Sequence, residues 1–292
     1  MRKAIPLVFI LTLVWGTTWP LFPVAVREVS VWTLRAVSTL GAGMALLALA
    51  RFRGESLRVP RAHWGTLLAA SLAYLVIWNV ASTYAAVLIP SGQAAILGFT
   101  MPFWSALIAW LLLGQRPGAR VLLALAVGGV GVVLLIGNGI GAYAKAPLGF
   151  ALGLLAGMGW AAGTVILKRR PIPLSPVALT GWQLLVAAVP LVIAALAFGG
   201  GEWSLPSLTS IAVIAYITIM PMAIGNVAWF AVVRLLPANI AGLSTVMVPV
   251  VAMISGAIVY HEPLGLVQWA SMLCCAFGVG LALLRPAGAA RA

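Results

Sequence analysis

The sequence predicts an all-α polytopic membrane protein: ten transmembrane helices arranged as two inverted five-helix repeats, with both termini in the cytoplasm. Three observations lead there. The composition is far from that of a soluble domain, ten apolar stretches reach spanning length, and one short motif returns later in the chain. Of 292 residues, 63% are hydrophobic and 7% charged, with a mean hydropathy of +1.14, whereas ordinary soluble domains carry about 25% charged residues.

A spanning helix needs about 20 mainly apolar residues. Cutting the chain at polar, Gly/Pro and basic breaks gives spans at 4–26, 30–50, 64–86, 91–113, 119–137, 147–167, 174–198, 208–233, 239–260 and 265–284. Arg2 and Lys3 before the first span imitate a secretory leader. That stretch is too long for one, carries Trp15 and Trp19, and lacks a small-residue cleavage site, so it is expected to remain as the first membrane helix.

Orientation follows from the bases. With the N-terminus inside, fourteen of the seventeen Lys and Arg fall in cytoplasmic segments, Arg27 and Lys145 fall outside, and Arg35 lies within a helix. A net charge of +13 against four acids therefore reads as the positive-inside bias of membrane loops, because the bases sit between apolar segments and not on one polar surface suited to nucleic acid.

The repeat shows in two breaks, "VLIPSGQAAI" at Val87–Ile96 and "RLLPANIAGL" at Arg234–Leu243. Pro90 and Pro237 lie 147 residues apart, and the same offset pairs Asn79 with Asn226, Pro102 with Pro249 and Gly131 with Gly278. Both stretches are expected as tight turns between helices, with proline as the break. The halves are expected at 1–138 and 139–292. Five helices is an odd number, so the second copy enters the membrane upside down. The charges agree: Arg116 and Arg120 in an inner loop pair with Pro263 and Val267 in an outer one.

Two five-helix halves, "WG" at Trp15–Gly16, a basic residue early on the second helix (Arg35), central prolines in "TMPFW" and "MVPVV", the turns "LGQRP" and "YHEPL", and the Gly-rich ends "GGVGVVLL" and "AFGVGLALL" together resemble the EamA-type drug/metabolite transporter superfamily. Within it the chain is most similar to ten-helix amino-acid and metabolite exporters, including the YddG-type aromatic amino-acid exporters. The resemblance implies a multi-pass protein of the bacterial inner membrane. Relatives usually carry Glu in the turn after both the fourth and ninth helices, whereas here Glu262 stands in one turn and Gln115 in the other.

Substrate sites in inverted-repeat transporters lie near the midplane between the halves, so polar and aromatic residues far from the helix ends are the candidates. On the third helix Tyr74, Trp78 and Ser82 are spaced i, i+4, i+8, with Asn79 beside them; on the fourth, Gln93, Thr100 and Trp104 share a face. Facing them are Trp15, Thr17, Thr18 and Trp19 on the first helix, Trp160 and Thr164 on the sixth, and Asn226, Trp229, Ser244 and Thr245 on the eighth and ninth. Six other tryptophans, among them Trp32, Trp64, Trp182 and Trp269, sit near helix ends, where an interfacial belt explains them. Taken one at a time the deeper rings also suit core packing; as a set they suit a cavity that stacks on rings and hydrogen-bonds polar substituents.

Arg35 is the ionisable residue placed clearly inside a span, about 9 Å from its outer start. Such residues are costly in lipid and usually functional. It can attract a carboxylate, reach back to the outer surface, or cap a neighbour's carbonyls, and the sequence leaves these open.

The function expected is export of a small metabolite, amino acids with aromatic or apolar side chains foremost, by alternating access. The competing readings are efflux of cationic drugs such as methyl viologen, which the absence of a midplane acid disfavours, and a non-transporting lipid-handling or receptor protein. An enzyme is not expected: there is no Asp, the two His lie at opposite membrane faces, and no Cys/His cluster has metal-ligand spacing, Cys274 and Cys275 being adjacent within an apolar run. No cofactor or metal is expected. The expected partners are the small-molecule substrate and the lipid bilayer, with the chain acting as a monomer.

Overall fold

The computed structural model describes residues 4–200, 205–236, 240–241, 244–261 and 264–283. Among them every regular element is helical. Eight helices are long and apolar enough to cross a membrane: α1 (Ala4–Ala25), α2 (Val31–Phe52), α3 (Arg61–Leu88), α4 (Gln93–Leu113), α5 (Ala119–Asn138), α6 (Pro147–Arg169), α7 (Pro176–Phe198) and α8 (Leu208–Leu235). Two shorter apolar helices follow, α9 (Val248–Tyr260) and α10 (Leu266–Leu283). The protein is thus a multi-pass membrane protein, and the helix order matches the apolar stretches read from the sequence. In the ninth stretch Ile240 and Ala241 are helical, and Ser244–Met247 form a turn before α9. Glu262, in the "YHEPL" turn, lies outside the described residues.

Capping sets several boundaries. Ser30, Ser175 and Ser207 each sit before a helix in extended backbone, and each hydroxyl accepts a hydrogen bond from the backbone N–H three residues on, satisfying a donor that the first turn leaves unpaired. At its other end α4 closes on Gly114, whose φ of 64° is the left-handed conformation that favours glycine.

The helices pair in a regular way. α2 packs along α7 and α5 along α10; α6 packs on α3 and α4, while α1 packs on α8 and α9. Small residues permit the closest approach. A Cβ on Gly153 would stand 2.7 Å from Leu97 Cβ, and one on Gly157 2.8 Å from the Gly98 carbonyl oxygen, so these two glycines let α6 close on α4. Large apolar side chains such as Leu111, Val133, Ile193, Leu196 and Phe277 point outward, as a lipid-facing surface requires.

Four helices depart from regular α geometry near their centres. α1 loosens at Thr17–Thr18 and continues through a 3₁₀ turn at Trp19–Leu21, where Pro20 and Pro23 cannot donate to the helix ladder. In α4 the helix stops at Gly98 and restarts at Met101, with Pro102 in its new first turn. α3 widens into a π-helical turn at Leu72–Val76, and α8 does so at Thr218–Gly225, around Pro221. Such widened turns free backbone carbonyls and often mark functional sites.

The two ends of the bundle differ in charge. At one end Glu55 accepts a hydrogen bond from Ser175, Trp182 Nε1 donates to the Leu57 carbonyl at 2.8 Å and Arg234 donates to the Leu174 carbonyl at 3.0 Å. Arg51, Arg53, Arg58, Arg61, Arg169 and Arg170 lie in the segments that these contacts join. At the other end, Glu28 meets Ser207 and Trp32 packs on Phe198, and the described bases near it are Arg27 and Lys145.

Candidate functional site

The irregular segments surround a central aromatic cage. Trp15, Trp19 and Phe22 on α1 are spaced i, i+4, i+7 and turn one face inward. Trp160 stands at the middle: its ring centroid lies 5.1 Å from Trp15, 4.6 Å from Tyr74, 4.9 Å from Trp78 and 5.7 Å from Trp229. Phe99 enters from the break in α4 and packs edge-on against Trp19 and Trp78. Each such ring pair contributes about 0.5–1.5 kcal/mol beyond its buried area, so the cage is a rigid wall as well as an apolar one.

Glycine makes room for two of these rings. A Cβ on Gly225 would lie 2.4 Å from Trp15 Nε1, and one on Gly163 would lie 2.6 Å from Tyr74 Cβ. Real Cβ atoms do not approach so closely, so any larger residue at either position would push a ring out of place.

Arg35 is the charge in the cage. It is 1% exposed, so it does not reach back to the membrane surface. Its Nε donates to Thr83 Oγ1 at 2.6 Å, Thr83 in turn donates to the Asn79 carbonyl at 2.7 Å, and the guanidinium carbon sits 4.3 Å over the Phe22 ring. Both terminal nitrogens, Nη1 and Nη2, are buried and have no hydrogen-bond partner. One neutral hydrogen bond and a cation–π contact worth about 2 kcal/mol when desolvated do not offset a burial penalty of several kcal/mol for an unpaired ion. The guanidinium is therefore held at a net cost that an arriving anion would relieve, and its free fork matches a carboxylate.

The cavity beside Arg35 is small, about 30 Å³, room for roughly two waters. Its walls bring together seven residues expected from the sequence, Trp15, Thr18, Trp19, Arg35, Trp78, Trp160 and Asn226, and four that were not, Phe22, Phe99, Pro221 and Met222. Of the polar groups, Asn226 Nδ2 donates to the Pro221 and Met222 carbonyls within the π turn, and Trp15 Nε1 also reaches the Pro221 carbonyl at 3.3 Å. Asn226 Oδ1 and Trp160 Nε1 remain unpartnered. Thr18 Oγ1 donates to the Val14 carbonyl.

A second layer closes the cage on one side. Trp229 Nε1 donates to the Tyr74 hydroxyl at 2.5 Å, and Tyr74 stacks on Phe230 at 5.1 Å. Asn79 and Ser82 are fully buried behind the wall with their side-chain polar atoms unpartnered, while Thr164 donates to the Trp160 carbonyl. The remaining expected residues lie apart. Thr17 hydrogen-bonds Tyr216, Trp104 donates to Thr100, and Ser244 donates to the Ala241 carbonyl in the turn before α9, where Thr245 is also buried. Gln93 lines a separate cavity of about 110 Å³ with Asn138 and Gln268. Among the described residues, no group of His, Cys, Asp and Glu could hold a metal ion.

Comparison with known proteins places this geometry in context. The EamA-like transporter family matches the chain twice, over residues 2–137 and 147–284. The chain is 26% identical over 275 residues to the uncharacterized transporter YvbV of Bacillus subtilis, covering 93% of this chain and 88% of that protein. It is 28% identical over 290 residues to the uncharacterized inner membrane transporter YedA of Escherichia coli, covering 97% and 92%. A probable amino-acid metabolite efflux pump of Escherichia coli is 28% identical over 187 residues, 60% of this chain and 61% of the pump. A crystal structure 18% identical in sequence superimposes over 96% of this chain and 97% of its own with a TM-score of 0.78, which shows the shared fold.

Proposed function

Because the chain belongs to the EamA-like transporter family, we propose that it is a secondary transporter carrying amphipathic carboxylates out of the cell by alternating access through the aromatic cage. Amino acids with aromatic or apolar side chains are the leading cargo. The observation that carries this reading is the Arg35 guanidinium, buried in a wall of tryptophans with both terminal nitrogens free. The carboxylate pairs with that fork, the unpartnered Asn226 Oδ1 accepts from the ammonium group, and the side chain stacks on Trp15, Trp78 and Trp160. The kinship with a protein named as a probable amino-acid metabolite efflux pump supports the same cargo class.

The architecture proposed is ten spans in two halves, 1–138 and 139–292, the second inverted, with both termini in the cytoplasm of a bacterial inner membrane. The two separate family matches, the pairing of α6 with α3 and α4 against α1 with α8 and α9, and the gathering of bases at one end support it. The π turns of α3 and α8 and the break in α4 are then the places where the halves bend. Of the described acids, Glu28 and Glu55 sit at the bundle ends on Ser207 and Ser175, away from the cage, so exchange or facilitated passage is the mode proposed.

An aromatic cage alone would also suit an organic cation, but a guanidinium in its wall repels one. Counterflow decides between them. Proteoliposomes preloaded with unlabelled tryptophan should take up labelled tryptophan saturably, with phenylalanine competing, methyl viologen failing to compete, and an imposed pH gradient making little difference. Competition by methyl viologen equal to that by phenylalanine would refute the carboxylate assignment.

A further inference from the structure

A second, larger cavity opens at the basic end of the bundle. It measures about 320 Å³ and lies between the end of α6, the segment Pro171–Pro173, α7 and α8. Of its lining residues Arg234 is exposed and Lys168 partly so, which sets the mouth; Leu167, Leu179 and Val233 are buried apolar walls, and Phe230 is the most deeply buried. Arg234 is fixed over the mouth by its bond to the Leu174 carbonyl, and no acidic side chain lines the cavity. Ligand sites are typically mostly apolar and about 300–1,000 Å³ with a few placed polar groups, and this cavity meets that description where the cage, at about 30 Å³, does not.

The two spaces are in series. Phe230, the inner wall of the basic cavity, packs at a tilt against Tyr74, and Tyr74 packs in the same way against Trp160 of the cage. The Tyr74–Trp229 hydrogen bond ties that partition together across α3 and α8. An amino acid cannot occupy the cage in this arrangement, but it fits the basic cavity with its carboxylate between Lys168 and Arg234 and its side chain on Phe230.

We infer that the cavity bounded by Lys168, Arg234 and Phe230 is a second binding station for the same amphipathic carboxylate, loaded from the basic end while the Tyr74–Trp229–Phe230 partition is shut. This rests on the carboxylate reading of the cage and adds to it a separate site, a waiting position, and a two-site stoichiometry. The charge at the mouth raises the local concentration of anions, and the partition keeps the cage dry until it opens.

The test is equilibrium binding of labelled L-tryptophan to the full chain in nanodiscs of neutral phosphatidylcholine. Two molecules per chain are expected. The double variant Lys168→Gln/Arg234→Gln should bind one, and so should Leu179→Trp, which fills the cavity and leaves both bases in place; Arg35→Met should also bind one, at the station. If Lys168→Gln/Arg234→Gln and Leu179→Trp both bind as the parent does, the station does not exist, whatever happens at the cage. If those variants lose a molecule and Arg35→Met loses none, the station stands and the cage assignment falls. No binding by the parent chain overturns both. An anionic lipid headgroup offers a related charge, so the measurement is repeated with cardiolipin in the disc: retention of both tryptophans is expected, and loss of the Lys168/Arg234-dependent molecule would assign the cavity to lipid and overturn the inference.

Discussion

α3 and α8 are equal in length at 28 residues each, lie 147 residues apart at both ends, and widen into a π turn at the same place. They treat their polar groups differently. In α8, Asn226 Nδ2 donates to the Pro221 and Met222 carbonyls of the π turn and Trp15 Nε1 to that of Pro221, so side chains brace the widened turn from within the protein. In α3, the equivalent Asn79 has neither amide atom partnered, and nearby Thr83 holds Arg35, whose two terminal nitrogens are also free. A buried polar group without a partner costs about 1–3 kcal/mol, so α8, with only Asn226 Oδ1 left open at this position, is the better satisfied copy and α3 carries the larger unmet demand. At the same 147-residue offset the two segments agree in helix and π turn, and the candidate site forms where they diverge: the position matching Arg35 is Trp182, which sits near the bundle end and donates to the Leu57 carbonyl.

The largest effect that would sharpen this contrast is expected at Arg35. Arg35→Met should lower exchange of tryptophan by two orders of magnitude or more, since two charge-assisted hydrogen bonds at about 1.5–3 kcal/mol each are lost. Its Tm should stay level or rise, because the substitution removes an unpaired buried charge; a cooperative fall in Tm would mean that Arg35 is structural. The asparagines come next. Asn226→Leu should destabilise by about 2 kcal/mol in a reversible unfolding titration, through the two side-chain hydrogen bonds lost. Asn79→Leu should be near neutral in stability and reduce exchange, and equal losses of stability in the two variants would erase the distinction between α3 and α8.

Gly225→Ala on α8 should cost about 1–3 kcal/mol by displacing the Trp15 ring, detectable as altered tryptophan fluorescence. Gly65→Ala near the start of α3, where a Cβ meets nothing within 4 Å, should change neither signal. Tyr74→Phe removes the hydroxyl that accepts from Trp229 and should lower stability by about 1 kcal/mol. The smallest effect is at Glu28, outside the spans, whose carboxyl is held below its usual value first by the Ser207 backbone N–H and then by the Ser207 hydroxyl. A lowered folded pKa means that its support for the start of α8 is present above the unfolded carboxylate range, about 4.3, and is lost as pH falls through the lower folded value. Glu28→Gln should therefore reduce Tm slightly at neutral pH and have no effect in strong acid.

Much of this was legible in the chain. Hydropathy located most of the helices within a few residues, the 147-residue offset marked α3 and α8 as counterparts, and a lone ionisable side chain inside a span singled out Arg35. Side-chain facing was harder to read, because lipid and protein interior are equally apolar and periodicity no longer distinguishes them. Gln93, Thr100 and Trp104 share a face on an unbroken helix, but α4 is interrupted at Phe99–Thr100, so Gln93 turns to a different cavity and Phe99 takes the place at the cage. Pro102 after Gly98 was the available signal for that break. Phe22 was visible at i+7 from Trp15, yet no ring by itself announces whether it packs or binds. The π turn of α3 left no sequence mark comparable to Pro221 in α8.

The most direct test of Arg35 as the carboxylate anchor is the ratio of affinities for tryptophan and tryptamine, which share the indole and the amine and differ in the carboxylate. The expected result is a preference for tryptophan of at least about tenfold in the parent chain, corresponding to 1.4 kcal/mol, that disappears in Arg35→Met. Equal affinities in the parent chain, or a preference that survives the substitution, would contradict it.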